Sequence, residues 1–110
     1  MIIHLLRHAE AEAAGRGGRE GSEPRLTTSG RGQAERLATL LGGADIRRFL
    51  SSPARRCLET LAPLAEATPG TEIEIEPRLL EGAPLSGLLE VVESLEDEPS
   101  LLCSHGDLIP

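Results

Sequence analysis

IIHLLRH, at residues 2–8, is a short apolar run that ends on Arg7 and His8. Its length and its isoleucine and leucine content predict a buried β-strand rather than a helix. Two polar side chains therefore follow directly on a strand that lies in the core. Because ligands of α/β proteins collect where strands give way to loops, the run predicts both a core strand and a candidate functional site.

Helix and strand patterns alternate along the following residues. Residues 27–29 (TTS) are N-cap residue types, and they precede an amphipathic helix that the glycines at 42–43 are expected to end. Residues 46–51 fit a second strand. The pair Ser52-Pro53 predicts the start of a second helix, as its N-cap and its first helical residue. Pro63 is expected to kink or end that helix.

The second half of the chain continues this alternation. Residues 72–76 (EIEIE) predict a strand with one wet face at or near a sheet edge, residues 85–95 predict a third helix, and residues 101–103 predict a final buried strand. The pattern as a whole predicts one α/β domain over residues 1–110, a three-layer sandwich with a largely parallel central sheet flanked by helices. The final strand runs into residues 104–106 (SHG), at the sheet edge where the first strand also ends.

The stretch between the first strand and the first helix is rich in glycine. Residues 9–24 contain Gly15, Gly17, Gly18 and Gly21, which predicts a mobile loop. The stretch lacks the Gly-Lys-Ser/Thr ending of a phosphate-binding P-loop. It therefore gives no indication of nucleotide binding.

Composition limits the classes of partner. A net charge of −7 opposes a broad electrostatic grip on nucleic acid or on an anionic membrane surface. Phe49 is the single aromatic residue, so the chain has no platform for stacking bases. No run approaches the ~20 apolar residues of a membrane span, and no export signal opens the chain. Cys57 and Cys103 lie in apolar patterns, which predicts buried thiols and a cytoplasmic protein rather than a disulfide framework.

The histidines at positions 4, 8 and 105 are candidates for chemistry. His4 and His8 share a face of the predicted strand, but four residues of strand separate them by about 13 Å. That distance is too long for a shared metal ion, whose ligands lie about 2 Å away, so no metal site and no cofactor are expected. His4 is interpreted as a core or face residue. His8 differs, because a neutral imidazole beside Arg7 can attack phosphorus while the guanidinium neutralises phosphate oxygens.

Four stretches resemble, in chain order, motifs of the histidine phosphatase superfamily, which includes the cofactor-dependent phosphoglycerate mutases. Residues 6–10 (LRHAE) resemble its Arg-His-Gly signature, and residues 25–34 (RLTTSGRGQA) contain a match to its Leu-Thr-x-x-Gly-x-x-Gln-Ala segment. Residues 51–56 (SSPARR) are similar to its second-arginine motif, and residues 104–106 (SHG) to its second-histidine motif. The short chain and the compact 79–89 stretch look most like the SixA-type phosphohistidine phosphatase branch.

The resemblance implies a role for each matching residue. His8 is the expected phosphoryl acceptor, Arg7 and Arg56 are expected to hold the phosphate, and His105 is expected to stabilise the transferring group. Arg56 fits the register of the family better than Arg55. The helical pattern does not decide between the two arginines, because a first-turn position lets either one reach an anion.

Two further residues are candidates with open alternatives. Glu81 matches the region where many members of the family place an acidic proton donor, although SixA-like members need none. Its alternative is a solvated loop carboxylate. Arg25 is a candidate for an additional phosphate or substrate contact, and its alternative is a surface salt bridge.

The expected function is hydrolysis of a phosphomonoester or a protein phosphohistidine, without a metal ion, through a phospho-His8 intermediate. The expected partner is a phosphorylated small molecule or a phosphohistidine protein. The alternatives are a nucleotide or sugar-phosphate phosphatase and a non-catalytic phosphate- or phosphoprotein-binding module with this fold. A thiol hydrolase using Cys103 and a serine hydrolase using Ser104 are weaker alternatives, because Cys103 continues an apolar strand and no Gly-x-Ser-x-Gly elbow surrounds Ser104.

The end of the chain also carries an expectation. Members of the family continue beyond the position of Pro110 into a further helix and strand, so the fold is expected to be C-terminally truncated and to lack both. An apolar surface and an unpaired sheet edge would then be exposed, which favours self-association.

Overall fold

The computed structural model describes residues 2–13 and 23–109. The glycines of the predicted mobile loop lie outside the described residues. The elements, in chain order, are β1 (Ile3–Arg7), α1 (Thr28–Leu41), β2 (Arg48–Ser51), α2 (Arg55–Glu66), β3 (Ile73–Ile75), a 3-10 turn (Pro77–Leu79), α3 (Leu85–Ser94) and β4 (Ser100–Ser104).

The four strands of the described chain form one sheet in the order β1-β4-β2-β3, with every neighbouring pair parallel. Leu102 of β4 pairs with Leu5 of β1 on one side and with Leu50 of β2 on the other. All five residues of β4 are buried, as expected for the central strand, and β3 lies at an edge of the sheet. The predicted parallel sheet and the edge position of the EIEIE stretch are both confirmed.

Helices cover both faces of the sheet. The first face packs against α1 and α2 around a core of Ile46, Phe49, Ala54, Cys57, Leu61, Leu64, Leu101 and Cys103. The second face packs against α3 and the 3-10 turn around Leu50, Leu79, Leu88, Val91, Leu95 and Leu102. This arrangement confirms the predicted three-layer α/β sandwich, and it brings the carboxyl ends of β1, β2 and β4 together at one edge.

The first helix begins and ends close to where its sequence predicts. Thr27 is the N-cap, and its Oγ1 accepts the N–H of Gly30 at 2.9 Å. The helix ends at Leu41, and Gly42 follows as the C-cap. Thr27 thus satisfies one of the free N–H groups of the first turn.

The start of the second helix differs from the prediction. α2 begins at Arg55 with Ala54 as its N-cap, so Ser52 is not the cap and Pro53 is not the first helical residue. The Ser52 hydroxyl accepts the N–H of Ala54 at 3.2 Å and also contacts the ring of His105. Because a tertiary contact takes the hydroxyl, the first turn of α2 has no side-chain cap.

Of the two outcomes expected at Pro63, a helix end is wrong, because α2 runs through Pro63 to Glu66, and a kink stays a prediction. Proline removes one helical N–H and usually breaks a helix interior. Here Leu61 and Leu64 are fully buried on either side of Pro63. Their packing against the sheet holds the last turn in place, because burial of each leucine contributes about 1.5–3 kcal/mol.

Candidate active site

His8 directly follows β1, and its backbone extends the parallel pairing with β4. The His8 N–H donates to the Ser104 carbonyl at 3.0 Å. The ring Nδ1 lies 2.7 Å from the carbonyl oxygen of Ala9. Because a carbonyl oxygen only accepts hydrogen bonds, this contact places a proton on Nδ1. Neutral His8 then has its lone pair on Nε2, which is the atom free to act as a nucleophile.

Thr60 connects the loop after β1 to helix α2. The Ala9 N–H donates to Thr60 Oγ1 at 3.0 Å, and the same hydroxyl donates to the Arg56 carbonyl at 2.7 Å. Thr60 is buried. Its hydroxyl therefore holds the N–H of Ala9, the residue whose carbonyl orients the His8 ring.

Glu10 attaches the same loop to helix α1. The Glu10 carbonyl accepts the N–H of Thr27 at 3.0 Å, and the Glu10 N–H donates to Gln33 Oε1 at 2.8 Å. A Cβ on Gly30 would overlap the Glu10 carbonyl oxygen. The Leu-Thr-x-x-Gly-x-x-Gln-Ala match at 26–34 thus supplies three contacts that hold the chain just after His8.

His105 lies at the carboxyl end of β4 and is almost fully buried. Its ring meets the His8 ring edge-on, with centroids 5.3 Å apart. Nε2 lies 2.9 Å from Ser52 Oγ, and Nδ1 lies 3.1 Å from Arg56 Nη2. Burial lowers the pKa of His105 below its ordinary value, and the positive charge of Arg56 lowers it further; a proton on His8 would add to this effect.

Arg56 occupies the space between His105 and Glu81. Its Nη2 donates to Glu81 Oε2 at 2.8 Å as well as to the His105 ring. The Arg56 side chain is 14 % exposed, whereas that of Glu81 is 63 % exposed. Arg55 instead pairs with Glu59 at 3.3 Å along the outside of α2. The structure therefore brings Arg56, and not Arg55, to the ring of His105.

The loop that carries Glu81 is held by the residues around His105. Ser104 Oγ donates to the Leu79 carbonyl at 2.6 Å, and Asp107 Oδ2 accepts the N–H of Gly82 at 2.8 Å. Gly82 has φ +85°, a conformation that suits glycine. Glu81 is thus a surface carboxylate on a loop that is fixed at both ends.

Arg7 lies against the turn that follows His105. A Cβ on Gly106 would lie 3.0 Å from Arg7 Cζ and 3.1 Å from its Nε. The guanidinium therefore lies close against the Gly106 backbone, and a Cβ at position 106 would push it aside by a few tenths of an ångström. The packing gives a physical reason for glycine in the Ser-His-Gly match and brings the exposed Arg7 side chain to the same sheet edge.

Arg25 is the predicted site residue that the structure places apart from this cluster. Its Nε lies 3.5 Å from Glu12 Oε1, and its side chain is about half exposed, at 54 %. Among the described residues, the Arg25 guanidinium has this one ion pair, with Glu12. A phosphate or substrate contact by Arg25 stays a prediction.

Two cysteines and one histidine complete the set of reactive side chains. Cys57 and Cys103 are both buried, unpaired thiols. A hydrogen bond with Cys57 and burial raise the pKa of Cys103, which does not suit a thiolate nucleophile. His4 is away from the cluster, and its buried Nδ1 has no hydrogen-bond partner among the described residues.

Residues 2–13 and 23–109 contain neither a candidate metal-binding cluster nor a candidate membrane span. In that part of the chain, no three His, Cys, Asp or Glu side chains are grouped closely enough to hold a metal ion. None of its helices has the length and apolar character needed to cross a membrane.

The chemistry of this cluster suits a phosphate group. A neutral His8 has a free Nε2, and the ring of a second histidine lies next to it. Arg56, held by its contacts with Glu81 and His105, and Arg7 supply guanidinium donors, which bind phosphate oxygens well. The uncapped start of α2 adds the positive end of a helix dipole. Nucleophile and cationic donors thus meet at one sheet edge.

The hydroxyls of Ser52 and Thr60 make hydrogen bonds in the candidate site that the sequence does not predict. Ser52 was interpreted as a helix cap, and no role was predicted for Thr60. The sequence shows only that Thr60 is a hydroxyl residue one helical turn after Arg56 and that Ser52 is another directly after β2. Neither position reveals its partner, because each contact spans a long stretch of chain. Thr60 lies 51 positions from Ala9, and Ser52 lies 53 positions from His105.

Comparison with known proteins agrees with this arrangement. Residues 3–84 match the family model of the histidine phosphatase superfamily, branch 1. A probable phosphatase of Schizosaccharomyces pombe is 33 % identical over 108 residues. The match covers 97 % of this chain and 51 % of the relative, so the chain spans about half the length of that protein.

Several solved structures share the fold. The protein histidine phosphatase SixA, solved with tungstate, has a TM-score of 0.82 and 26 % identity over 98 % of this chain and 71 % of its own. A SixA protein from Agrobacterium tumefaciens has a TM-score of 0.82 and 25 % identity over 97 % of this chain and 70 % of its own. A mycobacterial glucosyl-3-phosphoglycerate phosphatase, at 24 % identity and a TM-score of 0.76 over 96 % of this chain and 75 % of its own, supports the fold alone.

The family model covers most of the chain, and the residues that match its motifs meet at one edge of the sheet. The sequence resemblance and the structure thus lead to the same result, and this chain belongs to the histidine phosphatase superfamily.

Proposed function

We propose that the chain is a phosphatase that hydrolyses a phosphomonoester or a phosphohistidine through a phosphoryl group carried on His8. The observation that carries the proposal is the 2.7 Å contact between His8 Nδ1 and the Ala9 carbonyl. This contact leaves Nε2 of the neutral ring unprotonated, and Nε2 is the atom that must attack phosphorus. Membership of a phosphatase family supports the same chemistry.

The reaction divides into two displacements. In the first, His8 Nε2 forms a bond to phosphorus, and the bond from phosphorus to the leaving group breaks. In the second, water attacks the phosphoryl group, the bond between nitrogen and phosphorus breaks, and inorganic phosphate leaves. Each step concentrates charge on the phosphoryl oxygens, so catalysis depends chiefly on positioning and electrostatic stabilisation.

Cationic donors supply that stabilisation. Arg7, Arg56 and His105 converge on the position beside His8 and take the role that a metal ion plays in other phosphatases. The proposed reaction is therefore independent of metal ions and needs no cofactor.

Glu81 is the proposed proton donor to the leaving group, which is an oxygen in a phosphomonoester and a nitrogen in a phosphohistidine. It takes that proton from solvent once it is free of Arg56, and as a carboxylate in the second step it accepts a proton of the attacking water. Its carboxylate shares Arg56 Nη2 with the His105 ring. A phosphate oxygen that binds Arg56 competes with this ion pair. Binding of substrate would then release Glu81 for proton transfer, and its largely exposed side chain has room to move.

The proposed substrate is a phosphorylated small molecule or a phosphohistidine protein, and the proposed location is the cytoplasm. Similarity to SixA, a protein histidine phosphatase, supports the protein substrate.

Self-association is a further proposal. It is supported by two apolar side chains at the edge strand, Ile2 at 67 % and Leu5 at 49 % exposure.

A chromogenic aryl phosphate, assayed in the presence of a chelator, tests this function. The wild-type chain is expected to release phosphate, and His8→Ala is expected to lose the activity by roughly a thousandfold or more. His4→Ala is the matched control, because His4 lies on the same strand outside the cluster, and its activity should stay within about threefold of wild type. Turnover that survives in His8→Ala would exclude His8 as nucleophile, and phosphate binding without turnover in wild type would favour a binding module.

A further inference from the structure

Ser52 has a contact that its position in the sequence does not explain. The residue is fully buried at the end of β2, and its Oγ lies 2.9 Å from His105 Nε2. The same oxygen accepts the N–H of Ala54 at 3.2 Å. The hydroxyl that would ordinarily cap helix α2 is thus engaged with a ring of the candidate active site.

The partners of His105 determine where its proton lies. Arg56 has only donors, so its 3.1 Å contact makes Nδ1 an acceptor. The proton of the neutral ring then lies on Nε2, and Ser52 Oγ is the oxygen that receives it. The Cys57 sulfur, 3.7 Å from Nε2, is a weaker second neighbour.

This tautomer creates a problem that phosphate binding must solve. A phosphate oxygen that binds Arg56 takes the place of the His105 Nδ1 contact and comes to lie next to that nitrogen. If Nδ1 still carried an unprotonated lone pair, the lone pair would repel the phosphate oxygen. A phosphate anion requires a donor at that nitrogen. Transfer of the Nε2 proton to Nδ1 would supply one, but the Ser52 hydroxyl would then have to turn and donate to Nε2. With Ser52 held as the acceptor at Nε2, the ring supplies the donor by taking a second proton from solvent. An imidazolium needs an acceptor on each ring nitrogen, and Ser52 already provides the acceptor at Nε2.

We propose that Ser52 is a positioning residue of the phosphatase reaction: by accepting the Nε2 proton it keeps Nδ1 of His105 facing the phosphate, where that nitrogen takes up a proton as the anion binds. This role rests on the function proposed above. Ser52 itself touches neither the phosphate nor the reacting atoms, and it acts through His105.

The groups around His105 support this coupling between proton and anion. Arg56 faces the ring from α2 and His8 faces it from the end of β1, and both oppose a positive charge on the ring. Glu81, from the loop before α3, and Asp107, from the turn after β4, favour that charge. Burial and the charge on Arg56 outweigh these two carboxylates and lower the pKa of His105, and a proton on His8 would add to that effect. A bound phosphate dianion adds negative charge on the side of the ring that Arg56 occupies, and this reverses the balance.

Cys57 is the remaining titratable neighbour of the ring, and it lies on α2 behind His105. Hydrogen bonds from Cys103 and Ser52 lower the pKa of the Cys57 thiol. Any negative charge on its sulfur would also favour a protonated Nε2. Cys57 is therefore a second acceptor for the Nε2 proton, and the shorter contact of Ser52, 2.9 Å against 3.7 Å, makes Ser52 the principal one.

Proton–nitrogen NMR of the chain with isotope-labelled histidine tests the assignment directly. In phosphate-free buffer near neutral pH, His105 of the wild type is expected to carry its proton on Nε2. Saturation with inorganic phosphate is expected to convert the ring to the doubly protonated form. A proton on Nδ1 in phosphate-free buffer, or a ring that stays neutral with phosphate bound, would overturn the proposal. Both readouts use the wild-type chain, so they hold even if a variant does not fold.

Variants at position 52 add a kinetic readout. Ser52→Ala is expected to lower kcat/KM by about tenfold, the effect of one lost charge-assisted hydrogen bond, and to move the basic limb of its pH profile about one pH unit lower. Ser52→Thr keeps the hydroxyl and should restore the wild-type pH profile. Ser51→Ala is the matched control, because the buried Ser51 hydroxyl bonds only the Ser52 carbonyl, at 2.8 Å, among the described residues.

The outcomes separate this role from the proposed function. A Ser52→Ala variant with an unchanged tautomer and an unchanged basic limb would overturn the role of Ser52, even if the chain is an active phosphatase. A wild-type chain that binds phosphate with the expected change at His105 but never turns over would exclude the proposed phosphatase function. That second result would leave the link between Ser52 and the His105 proton intact.

Discussion

Replacement of Thr60 by valine removes one hydroxyl from the interior and leaves the shape of the side chain almost unchanged. The structure assigns two hydrogen bonds to that hydroxyl, from the Ala9 N–H at 3.0 Å and to the Arg56 carbonyl at 2.7 Å. The Arg56 carbonyl keeps the ordinary helical bond from the residue 60 N–H. The Ala9 N–H, which is half-buried, loses its acceptor. An unsatisfied donor of this kind costs about 1–2 kcal/mol of unfolding free energy.

The same change should also reduce activity. Thr60 holds the N–H of the His8–Ala9 peptide, and the carbonyl of Ala9 orients the His8 ring, so loss of this anchor lets both the Ala9 backbone and the nucleophile shift. We expect kcat/KM of Thr60→Val to fall by roughly tenfold to a hundredfold, because a displacement of about 1 Å at a reacting group has an effect of this size. Thr60→Ser keeps the hydroxyl and should retain most of the wild-type activity.

Urea denaturation and steady-state phosphate release measure the two effects. Thr39→Val is the matched control, because Thr39 makes a similar hydroxyl bond to the Glu35 carbonyl at 3.3 Å but is exposed and far along α1 from the site. Its unfolding free energy should stay within about 0.5 kcal/mol of wild type. An equally small change in Thr60→Val, or an equally large one in Thr39→Val, would show that the bond to the Ala9 N–H does not stabilise the fold as described.

Gly30→Ala should lower the unfolding free energy by about 1–3 kcal/mol, because the new Cβ overlaps the backbone of the loop after β1. Gly32→Ala has room for a Cβ in the same helix and should raise the unfolding free energy by about 0.5–1 kcal/mol. Urea midpoints with the opposite order would contradict the packing. Arg56→Ala should reduce kcat/KM by roughly a hundredfold or more, whereas Arg55→Ala should stay within about twofold of wild type. Similar losses of kcat/KM in steady-state assays of the two variants would contradict the assignment of the site role to Arg56. Since the pKa of His105 is lowered in the folded chain, its contribution to stability is complete above about pH 6.5 and decreases as the pH falls through the folded value. Urea unfolding at a series of pH values should show this loss, and His105→Gln should reduce it; a stability that rises on mild acidification would be inconsistent with a lowered pKa.

Local patterns predicted the helices and strands well. Strand runs such as residues 2–6 and 101–103, and the cap at Thr27, depend on periodicity and on side chains close in sequence. The strand order could not be obtained in this way. The last strand lies between β1 and β2, and that pairing joins residues about a hundred positions apart.

The two wrong helix predictions have a common cause. Ser52 and Pro63 carry strong local preferences, the first for a cap and the second for a helix end. Tertiary contacts override both, because the ring of His105 takes the Ser52 hydroxyl and the buried leucines beside Pro63 hold the helix together. Local propensity is weaker than a well-packed core.

Much of the candidate site followed from strand ends and family resemblance. Arg7, His8 and His105 all lie at the carboxyl ends of neighbouring parallel strands, which meet by geometry. The choice of Arg56 depended on the register of the resemblance, since its position on the helix was ambiguous. The hydroxyls that orient the histidines could not be predicted, because a hydrogen bond between distant positions leaves no periodic trace.

The most direct measurement is the location of the phosphoryl group during turnover. A phosphate ester would be mixed with the wild-type chain, quenched within milliseconds in base to preserve phosphohistidine, and digested for mass spectrometry. A phosphoryl group on His8, absent from His8→Ala and hydrolysed as turnover proceeds, is the expected result. Turnover with the phosphoryl group on another residue, or with none on the protein at any time, would contradict the role of His8.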